Sequence, residues 1–260
     1  MSAAAVMLVK DEVDIIEYTL RRLREQVDHV YVSDDGSTDG TRDVLHELSL
    51  DGDWLSAFDC EDPAYYQSKK TTALAMRACG DGHRWVVPVD ADEFWYANDG
   101  RTIASLLGGL APDVQFVRAP LFNHIPASTD RSEKDVPNPF RRIGWRQREH
   151  AVLGKIACRL RPDLIIHAGN HGASTAGTGL SSSGLTVRHF SWRSADQYVK
   201  KIRNGERAYA LTDLPVDTGA HWRMWNGQPD DALRGHFDTW FWSSDPYADD
   251  TLIFDPAPGA

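Results

Sequence analysis

The sequence predicts an α/β fold in which a mainly parallel β-sheet is flanked by helices. Short apolar runs alternate with longer segments in which apolar residues recur at helical spacing, and this alternation continues as far as residue 90. The 260 residues are 42% hydrophobic and 25% charged, which is enough to bury a core. Strands and helices in this alternation imply parallel strands joined by right-handed crossovers.

The pattern of apolar residues predicts the first two strands and the first two helices. AAAVMLV at 3–9 and HVYVSDD at 29–35 predict strands, and STDGTRDVLHEL at 37–48 predicts a helix capped by Thr38 or Asp39. The buried side of that helix consists of Val44, Leu45 and Leu48. The helix between the two strands has an apolar face formed by Val13, Ile16, Leu20, Leu23 and Val27.

The alternation continues with a strand at 54–59, a helix at 69–79 and a strand at 84–90. In a parallel sheet, ligands bind beyond the carboxyl ends of the strands. The four strand ends predicted here deliver polar or acidic residues to one rim: Lys10, Glu12, Asp34, Asp35, Asp59, Asp90 and Asp92.

The second half of the chain gives weaker patterns. TIASLLGGL at 102–110 predicts a short helix, VQFVRAPLFNH at 114–124 predicts a strand, and the polar stretch 126–139 predicts a loop or flap. Apolar runs typical of strands resume at Ala151 and Leu164.

A last helix is predicted at 194–205, where Ser194 and Gln197 form a capping box and Gly205 ends the helix. The tail from His221 is rich in Trp, Asp and Pro and predicts no element. The sequence contains no internal repeat.

The totals exclude several classes of function. With 28 Lys and Arg against 38 Asp and Glu, the net charge of −10 argues against binding of nucleic acid through its phosphates. Three cysteines without C-x-x-C spacing disfavour a disulfide framework and a thiolate zinc site, and they predict a cytoplasmic protein. No signal peptide and no transmembrane segment of about 18 apolar residues is expected.

Three carboxylates follow the strand at 84–90, in VPVDADEFW. In an extended segment, Asp90 and Asp92 would point to one face and Glu93 to the other. Two such charges about 4 Å apart repel by roughly 4 kcal/mol at an effective dielectric of about 20, whereas Mg²⁺ or Mn²⁺ binds carboxylates together with substrate phosphates. The pattern predicts a metal site, against the alternative of solvated or helix-capping acids.

A second acidic pair, Asp34 and Asp35, stands at the end of another strand of the same predicted sheet. It adds to the acidic rim. The alternative is turn chemistry, because DDGSTDG also suits a tight loop into a helix.

Together these segments resemble a known family. MLVKDEVDIIEYTLRRLREQVDHVYVSDDGSTDGTRDVL, followed further along by VPVDADEFW, resembles the GT-A glycosyltransferases, specifically family-2-like members with a D-x-D-E-F motif. The resemblance is strong over 5–95 and weaker afterwards. It implies one GT-A domain over 1–260 with a Rossmann-like, mixed and mainly parallel sheet. The nucleotide-sugar-binding half would be 1–125, and the acceptor-binding half, with the flap and the C-terminal helices, would be 126–260.

The resemblance also implies roles for residues. The N-E motif of the family is here Asp11-Glu12, with Asp in place of the usual Asn. Asp34 would accept a hydrogen bond from the base, Asp90 would lie near the ribose, and Asp92 would bind Mn²⁺ or Mg²⁺ directly. The implied nucleotide-sugar-binding set is Val9, Lys10, Glu12, Asp34, Asp35, Lys69, Asp90 and Ala91.

The metal shell in many such enzymes is completed by a downstream histidine. The segment TVRHFSWRSADQYVKKIRNG resembles the family segment that supplies it, which gives the metal set Asp90, Asp92 and His189. The alternative is that His189 is a satisfied core histidine. His167 and His171, in IIHAGNHG, are further candidates for the metal or the acceptor site.

The activity that the resemblance implies is transfer of a sugar from a nucleoside-diphosphate sugar, with a UDP-sugar favoured, to an acceptor hydroxyl. The E-D motif that usually supplies the base is absent from the expected window. Glu149 and His171 are the catalytic candidates, beside His150 and Asp163. Without an assigned base, an inverting and a retaining outcome both stay open.

Other classes fit the sequence less well. A nucleotidyltransferase would carry a G-x-G-T-R loop after the first strand, where this chain has LVKDEVD. The P-loop, G-x-S-x-G and H-E-x-x-H motifs are absent. A non-catalytic module that keeps the nucleotide pocket is left as an alternative, and the nine tryptophans leave a homodimer open.

Overall fold

The structure, a computed structural model, describes residues 2–60, 62–176, 179–215 and 217–260. Its strands are β1 Ala3–Val9, β2 His29–Asp34, β3 Leu55–Asp59, β4 Trp85–Pro88, β5 Glu93–Ala97, β6 Val114–Ala119, β7 Leu121–Asn123, β8 Trp145–Gln147, β9 Lys155–Arg159, β10 Ile165–Ile166, β11 Ala173–Ser174, β12 Leu180–Ser182, β13 Leu185–His189 and β14 Leu252–Phe254. Its α-helices are α1 Ile16–Arg24, α2 Thr41–Ser49, α3 Gln67–Gly80, α4 Ile103–Gly108, α5 Pro139–Arg142, α6 Ala195–Ala210, α7 Ala220–Arg223 and α8 Asp230–Trp240.

The central sheet has seven strands in the order β12-β6-β9-β4-β1-β2-β3. Strands β4, β1, β2 and β3 pair in parallel, and β9 runs antiparallel between β4 and β6. This confirms the predicted mixed and mainly parallel sheet. In the register, Val9 lies beside Asp34 and Asp34 lies beside Asp59, so the carboxyl ends of β1, β2 and β3 are level.

Strand β1 is buried on both faces, as a central parallel strand must be. Ala3, Ala5 and Met7 belong to the core that α1 and α2 cover, whereas Ala4 and Val6 belong to the core that α3 covers. The short alanine side chains leave room for helices on both sides of the sheet.

Helix α2 begins at Thr41, and its N-cap differs from the predicted one. Gly40 is its N-cap, in a left-handed conformation with φ of 103°, and makes no side-chain capping bond. The carboxylate of Asp39 instead accepts a hydrogen bond from Thr41 N at 3.0 Å, in a turn outside the helix. The prediction of a Thr38 or Asp39 cap is therefore wrong, because Gly40 can adopt the left-handed turn that sets the helix start.

Helix α6 confirms one predicted terminus and corrects the other. Ser194 Oγ accepts a hydrogen bond from Gln197 N at 3.2 Å, as predicted for the cap. The helix does not end at Gly205 but continues to Ala210. A Cβ at Gly205 would lie 2.8 Å from the Trp222 ring, so this glycine makes space for a packed indole.

The chain divides into two compact units. The first comprises Met1–Cys60, Gln67–Phe122 and His150–His189, and it contains the central sheet. The second comprises Glu61–Tyr66, Asn123–Glu149 and Phe190–Ala260. In the second unit, α6 and α8 share an aromatic core, and β8 pairs with β14. Among the described residues, no helix has the length and apolar character to cross a membrane.

Candidate active site

The loops after β1 and β2 are joined by hydrogen bonds at the carboxyl edge of the sheet. Asp11 has a left-handed φ of 53°, a conformation in which Asp and Asn are enriched. Its carboxylate accepts a hydrogen bond from Thr38 N at 2.7 Å, and its own N–H donates to Ser37 Oγ at 2.8 Å. Lys10 Nζ donates to the carbonyl of Asp35 at 2.7 Å. Aspartate in the asparagine position therefore keeps the oxygen that closes these loops.

The backbone around the predicted nucleotide residues is fixed by the adjoining helices. Glu12 is buried, and its N–H donates to Thr41 Oγ1 at 2.9 Å. Its carbonyl accepts from Ile16 N at 2.9 Å, and the carbonyl of Val9 accepts from Asp35 N at 2.9 Å. These bonds hold the β1 loop between α1 and α2.

Asp34 combines the two roles that the sequence left as alternatives. It is only 1% exposed, and its Oδ1 accepts hydrogen bonds from Ser37 N at 3.0 Å and Ser37 Oγ at 2.5 Å. Its Oδ2 lies 3.7 Å from Arg42 Nε. Asp34 therefore builds the turn into α2 while placing a buried charge at the rim.

Asp35 forms an ion pair with a lysine next to the predicted one. Lys70 Nζ lies 2.9 Å from Asp35 Oδ2, and both side chains are largely buried. Lys69, named from the sequence, is exposed on α3. The helical phase of α3 turns Lys70, one residue further, toward the rim.

The D-x-D segment is a turn and not an extended strand. Strand β4 ends at Pro88, and Glu93 N donates to the carbonyl of Asp90 at 3.1 Å. The prediction that Asp90 and Asp92 share one face of an extended segment is therefore wrong. Thr19 Oγ1 on α1 donates to the carbonyl of Ala91 at 2.5 Å, which fixes the turn from outside.

A buried lysine on β9 lies between two of the three acids. Lys155 Nζ is 2.6 Å from Asp90 Oδ2, 2.8 Å from Glu93 Oε1 and 2.8 Å from the carbonyl of Gly169. Its side chain is 3% exposed. The ammonium group donates hydrogen bonds to Asp90 and to the Gly169 carbonyl, and it forms an ion pair with Glu93. Burial opposes the charge on Lys155, but Asp90 and Glu93 outweigh it and raise the lysine pKa above its ordinary value.

The third acid has a different neighbour. Asp92 is 2% exposed, and its Oδ1 lies 3.5 Å from His189 Nε2. His189 is the last residue of β13, where it pairs with Glu93 at the start of β5. The pairing of these two strands brings the imidazole to the D-x-D turn.

A single turn of 3₁₀ helix, Ala168–Asn170, lies against Asp90. Asn170 Nδ2 donates to Asp90 Oδ1 at 2.9 Å, and Gly169 N donates to Gln67 Oε1 at 2.6 Å. His171 follows the turn, with its Nδ1 2.8 Å from the carbonyl of Gly154. The structure therefore brings His171 into the same unit as Asp90, Asp92 and His189.

The other base candidates lie in different surroundings. Glu149 is exposed and belongs to the second unit, and His150 is exposed with its Nδ1 2.9 Å from the carbonyl of Ala151. Hydrogen bonds from Ala176 N and Thr175 lower the pKa of Asp163 to about 2. His167 is exposed, and its Nε2 lies 2.6 Å from Ser174 Oγ.

A sequence model of the family described as "Glycosyl transferase family 2" matches residues 4–158, which is more than half of the chain. The chain belongs to glycosyl transferase family 2. The resemblance drawn from the DDGSTDGT and D-x-D-E-F motifs is thereby confirmed, as is the enzyme class, a glycosyltransferase.

Solved structures of glycosyltransferases superpose on this family 2 member at low identity. The mannosyltransferase PcManGT from Pyrobaculum calidifontis, in complex with GDP-Man and Mn²⁺, is 16% identical over 90% of this chain and 72% of that chain, with a TM-score of 0.47. GalNAc-T7, with UDP, GalNAc and Mn²⁺, is 11% identical over 93% and 58% of the two chains, with a TM-score of 0.47. No sequence of a curated protein matches the chain significantly.

The donor groups of the turn fit a divalent metal in part. Among the described residues, no group of three or more His, Cys, Asp and Glu side chains is arranged to hold an ion. Asp92 and His189 nevertheless present a carboxylate and an imidazole side by side, and Mn²⁺ and Mg²⁺ commonly complete such partial sets with substrate phosphates and water. Asp90 already receives hydrogen bonds from Lys155 and Asn170.

Sequence reasoning missed the residues that organise this site. Lys155, Gln67 and Asn170 contact Asp90 or its covering turn, yet none stands in a motif. The sequence offered one signal for Lys155, a lysine at the start of an apolar run, KIAC. Such a lysine must be either exposed at a strand end or paired with acids when buried.

Proposed function

We propose that this family 2 glycosyltransferase moves a sugar from a nucleoside-diphosphate sugar, with a UDP-sugar favoured, to an acceptor hydroxyl. The observation that supports the proposal is that the three acids have different neighbours. Lys155 forms ion pairs with Asp90 and Glu93, whereas Asp92 lies beside the imidazole of His189, and a carboxylate next to an imidazole is a pairing that binds divalent metals.

The proposed metal is Mn²⁺ or Mg²⁺, bound by Asp92 and His189, with Asp90 next to them in the D-x-D turn. When bound, such an ion absorbs negative charge that develops on a leaving diphosphate. Lys155 and Asn170 orient Asp90 through both of its oxygens. With Asp90 so engaged, its part in the proposal is to face the ribose and to set the position of the D-x-D turn.

The nucleoside is assigned to the rim formed by the β1 and β2 loops. The proposed contacts are Val9, Lys10, Glu12, Asp34, Asp35, Lys69 and Ala91. Asp34 supports this assignment, because it is a buried carboxylate at the strand end, where its Oδ2 accepts a hydrogen bond from Ser37 N at 3.2 Å and lies 3.7 Å from Arg42 Nε. A carboxylate oxygen accepts the ring N–H that a uracil base offers. We also propose a cytoplasmic location, which the cysteine pattern predicts.

The test is a thermal-unfolding screen of nucleoside diphosphates and sugar nucleotides, each with and without Mn²⁺. A ligand present at about 100 times its Kd stabilises the fold by about 2.7 kcal/mol. We expect one nucleotide to raise the melting temperature, and Mn²⁺ to increase that rise. Asp92→Asn should fold normally and lose the Mn²⁺-dependent part of the rise, because it removes the charge beside His189.

The matched control is Asp99→Asn, in the same unit, whose carboxylate is exposed and paired with Arg101. It should keep the full Mn²⁺-dependent rise. The proposal fails if no nucleotide stabilises the protein. The metal assignment fails if Asp92→Asn retains the entire effect of Mn²⁺.

A further inference from the structure

His171 is held in one tautomer by the backbone. Its Nδ1 lies 2.8 Å from the carbonyl oxygen of Gly154. A carbonyl oxygen only accepts hydrogen bonds, so Nδ1 carries the proton of the neutral ring and Nε2 keeps a lone pair. The half-buried imidazole therefore presents a proton acceptor on the edge opposite Gly154.

The position of the ring depends on a glycine in the preceding turn. A Cβ at Gly169 would lie 2.5 Å from Cδ2 of His171 and 2.8 Å from its Nε2. Gly169 also has a φ of 76°, which favours glycine. Its N–H is bound by Gln67 and its carbonyl by Lys155, the same lysine that holds Asp90. The imidazole and the acidic turn are thus fixed to each other through Lys155.

The surroundings of His171 lower its pKa. Burial lowers its pKa, and the positive charge of Lys155 on β9 and the proximity of His189 on β13 lower it further. The hydrogen bond to the Gly154 carbonyl and the charge of Asp90, after β4, act in the opposite direction. The net effect is a pKa below the ordinary histidine value, which favours the neutral ring that a proton acceptor must be.

We propose that His171 is the catalytic base of the transfer, an inference that rests on the function proposed above. Nε2 removes the proton from the acceptor hydroxyl while the acceptor oxygen forms its bond to the anomeric carbon. The bond between that carbon and the diphosphate oxygen breaks, and its electron pair leaves on the diphosphate. One base and one displacement give an inverted anomeric centre.

The alternative bases meet fewer of these conditions. Glu149 lies in the second unit, where its side chain is exposed. Asp163, with a pKa of about 2, is a weak proton acceptor. His189 faces Asp92, where the proposed metal would occupy its Nε2. His171 alone among these combines a fixed tautomer, partial exposure and contact with the segment that covers Asp90.

The experiment compares two nucleophiles in the release of nucleoside diphosphate from the sugar nucleotide that the thermal screen selects, with Mn²⁺ present. Water must lose a proton when it attacks, whereas the azide anion carries none. We expect His171→Gln to slow the reaction with water by about 10²–10⁴-fold, the usual contribution of a general base, and to leave the reaction with azide within about twofold of the wild type. The melting-temperature rise with nucleotide and Mn²⁺ should be unchanged.

Two further variants complete the test. His46→Gln is the matched control, because this histidine is in the same unit but is exposed on α2; both reactions should keep their wild-type rates. Gly169→Ala should also slow the reaction with water, because the added methyl displaces the ring, although selectivity is judged on His171→Gln since Gly169 also contacts Lys155.

Three results would overturn the assignment of the base. These are a wild-type rate with water in His171→Gln, an equal loss with water and azide, or the selective loss appearing in Glu149→Gln instead. Absence of any nucleotide-dependent stabilisation in the wild-type protein would overturn the proposed function itself, so the two failures can be told apart.

Discussion

Lys155 explains why three carboxylates can occupy one turn. Each ionised neighbour raises the cost of the next, and burial adds to that cost. A single ammonium group within 2.8 Å of both Asp90 and Glu93 offsets this repulsion. The sequence predicts that the acids need a cation, and the protein supplies one of its own for two of them.

Removal of this ammonium should destabilise the fold. Lys155→Met keeps the length of the side chain but leaves the buried Glu93 and the partly exposed Asp90 without this counter-charge. Breaking a buried ion pair on one side typically costs about 3–5 kcal/mol. We expect a loss of that size in the free energy of unfolding, measured by urea denaturation at neutral pH.

Lys134 is exposed, and Lys134→Met is the control. This substitution should change the free energy of unfolding by less than about 0.5 kcal/mol. Adding Glu93→Gln to Lys155→Met should recover part of the loss, because one of the two orphaned charges disappears. A loss below about 1 kcal/mol in Lys155→Met would show that the pair contributes little.

At the scale of elements, helices α6 and α8 each contain a glycine, and the two glycines have opposite surroundings. Gly205 in α6 faces the Trp222 ring, whereas a Cβ at Gly235 in α8 would meet nothing within 4 Å. Alanine favours a helix interior over glycine by about 1 kcal/mol when space allows. The pair therefore separates helix propensity from packing.

Gly235→Ala should stabilise the protein by about 0.5–1 kcal/mol. Gly205→Ala should destabilise it by about 1–3 kcal/mol, because Trp222 must move. The measurement is urea denaturation of both variants under the same conditions. Equal effects of the two substitutions would contradict the close packing of Trp222 against α6.

The elements that local pattern determines were predictable. The strands of the first half follow from apolar runs, and β1 matches its predicted bounds at Ala3–Val9. The turn at Asp90 was not predictable, because the alternation of side chains between two faces assumes an extended backbone. That turn is held by Lys155, 65 residues further along the chain, a distance over which periodicity carries no information.

The same limit applies to the candidate site. The motifs identified Asp34, Asp90 and Asp92 as a rim because strand ends meet at one edge of a sheet. They did not indicate that Lys70 rather than Lys69 pairs with Asp35, since this depends on the phase of α3 to within one residue. The role of Gly169 depends on a close approach of the His171 ring, which no sequence pattern records.

At the scale of the whole molecule, stability should depend on pH through two histidines in the first unit. The rings of His29 and His83 have centroids 6.0 Å apart, and Tyr31 packs against both. Burial lowers the pKa of each ring, and the proximity of His83 lowers the pKa of His29 further. The folded state therefore binds these protons less readily than the unfolded state.

The sign of the effect follows from this difference. Above the unfolded histidine pKa of about 6.5, the two rings are neutral in the folded and the unfolded state, and the free energy of unfolding does not depend on them. As the pH drops below that value, the unfolded state binds protons first and the free energy of unfolding falls. We expect the urea midpoint to decrease between about pH 8 and pH 5.5. The double variant His29→Gln/His83→Gln should show a smaller decrease of the urea midpoint. A decrease equal to that of the wild type would show that these histidines do not cause the pH dependence.

Strand β9 comes late in the chain but lies in the middle of the sheet, between β4 and β6. A nascent polypeptide that has left the ribosome only as far as β6 therefore lacks the strand that joins β4 to β6, and its acidic turn lacks Lys155. The acidic turn that follows β4 is completed only when β9, a later segment, has paired with β4. Synthesis of the amino-terminal half alone cannot yield a finished site.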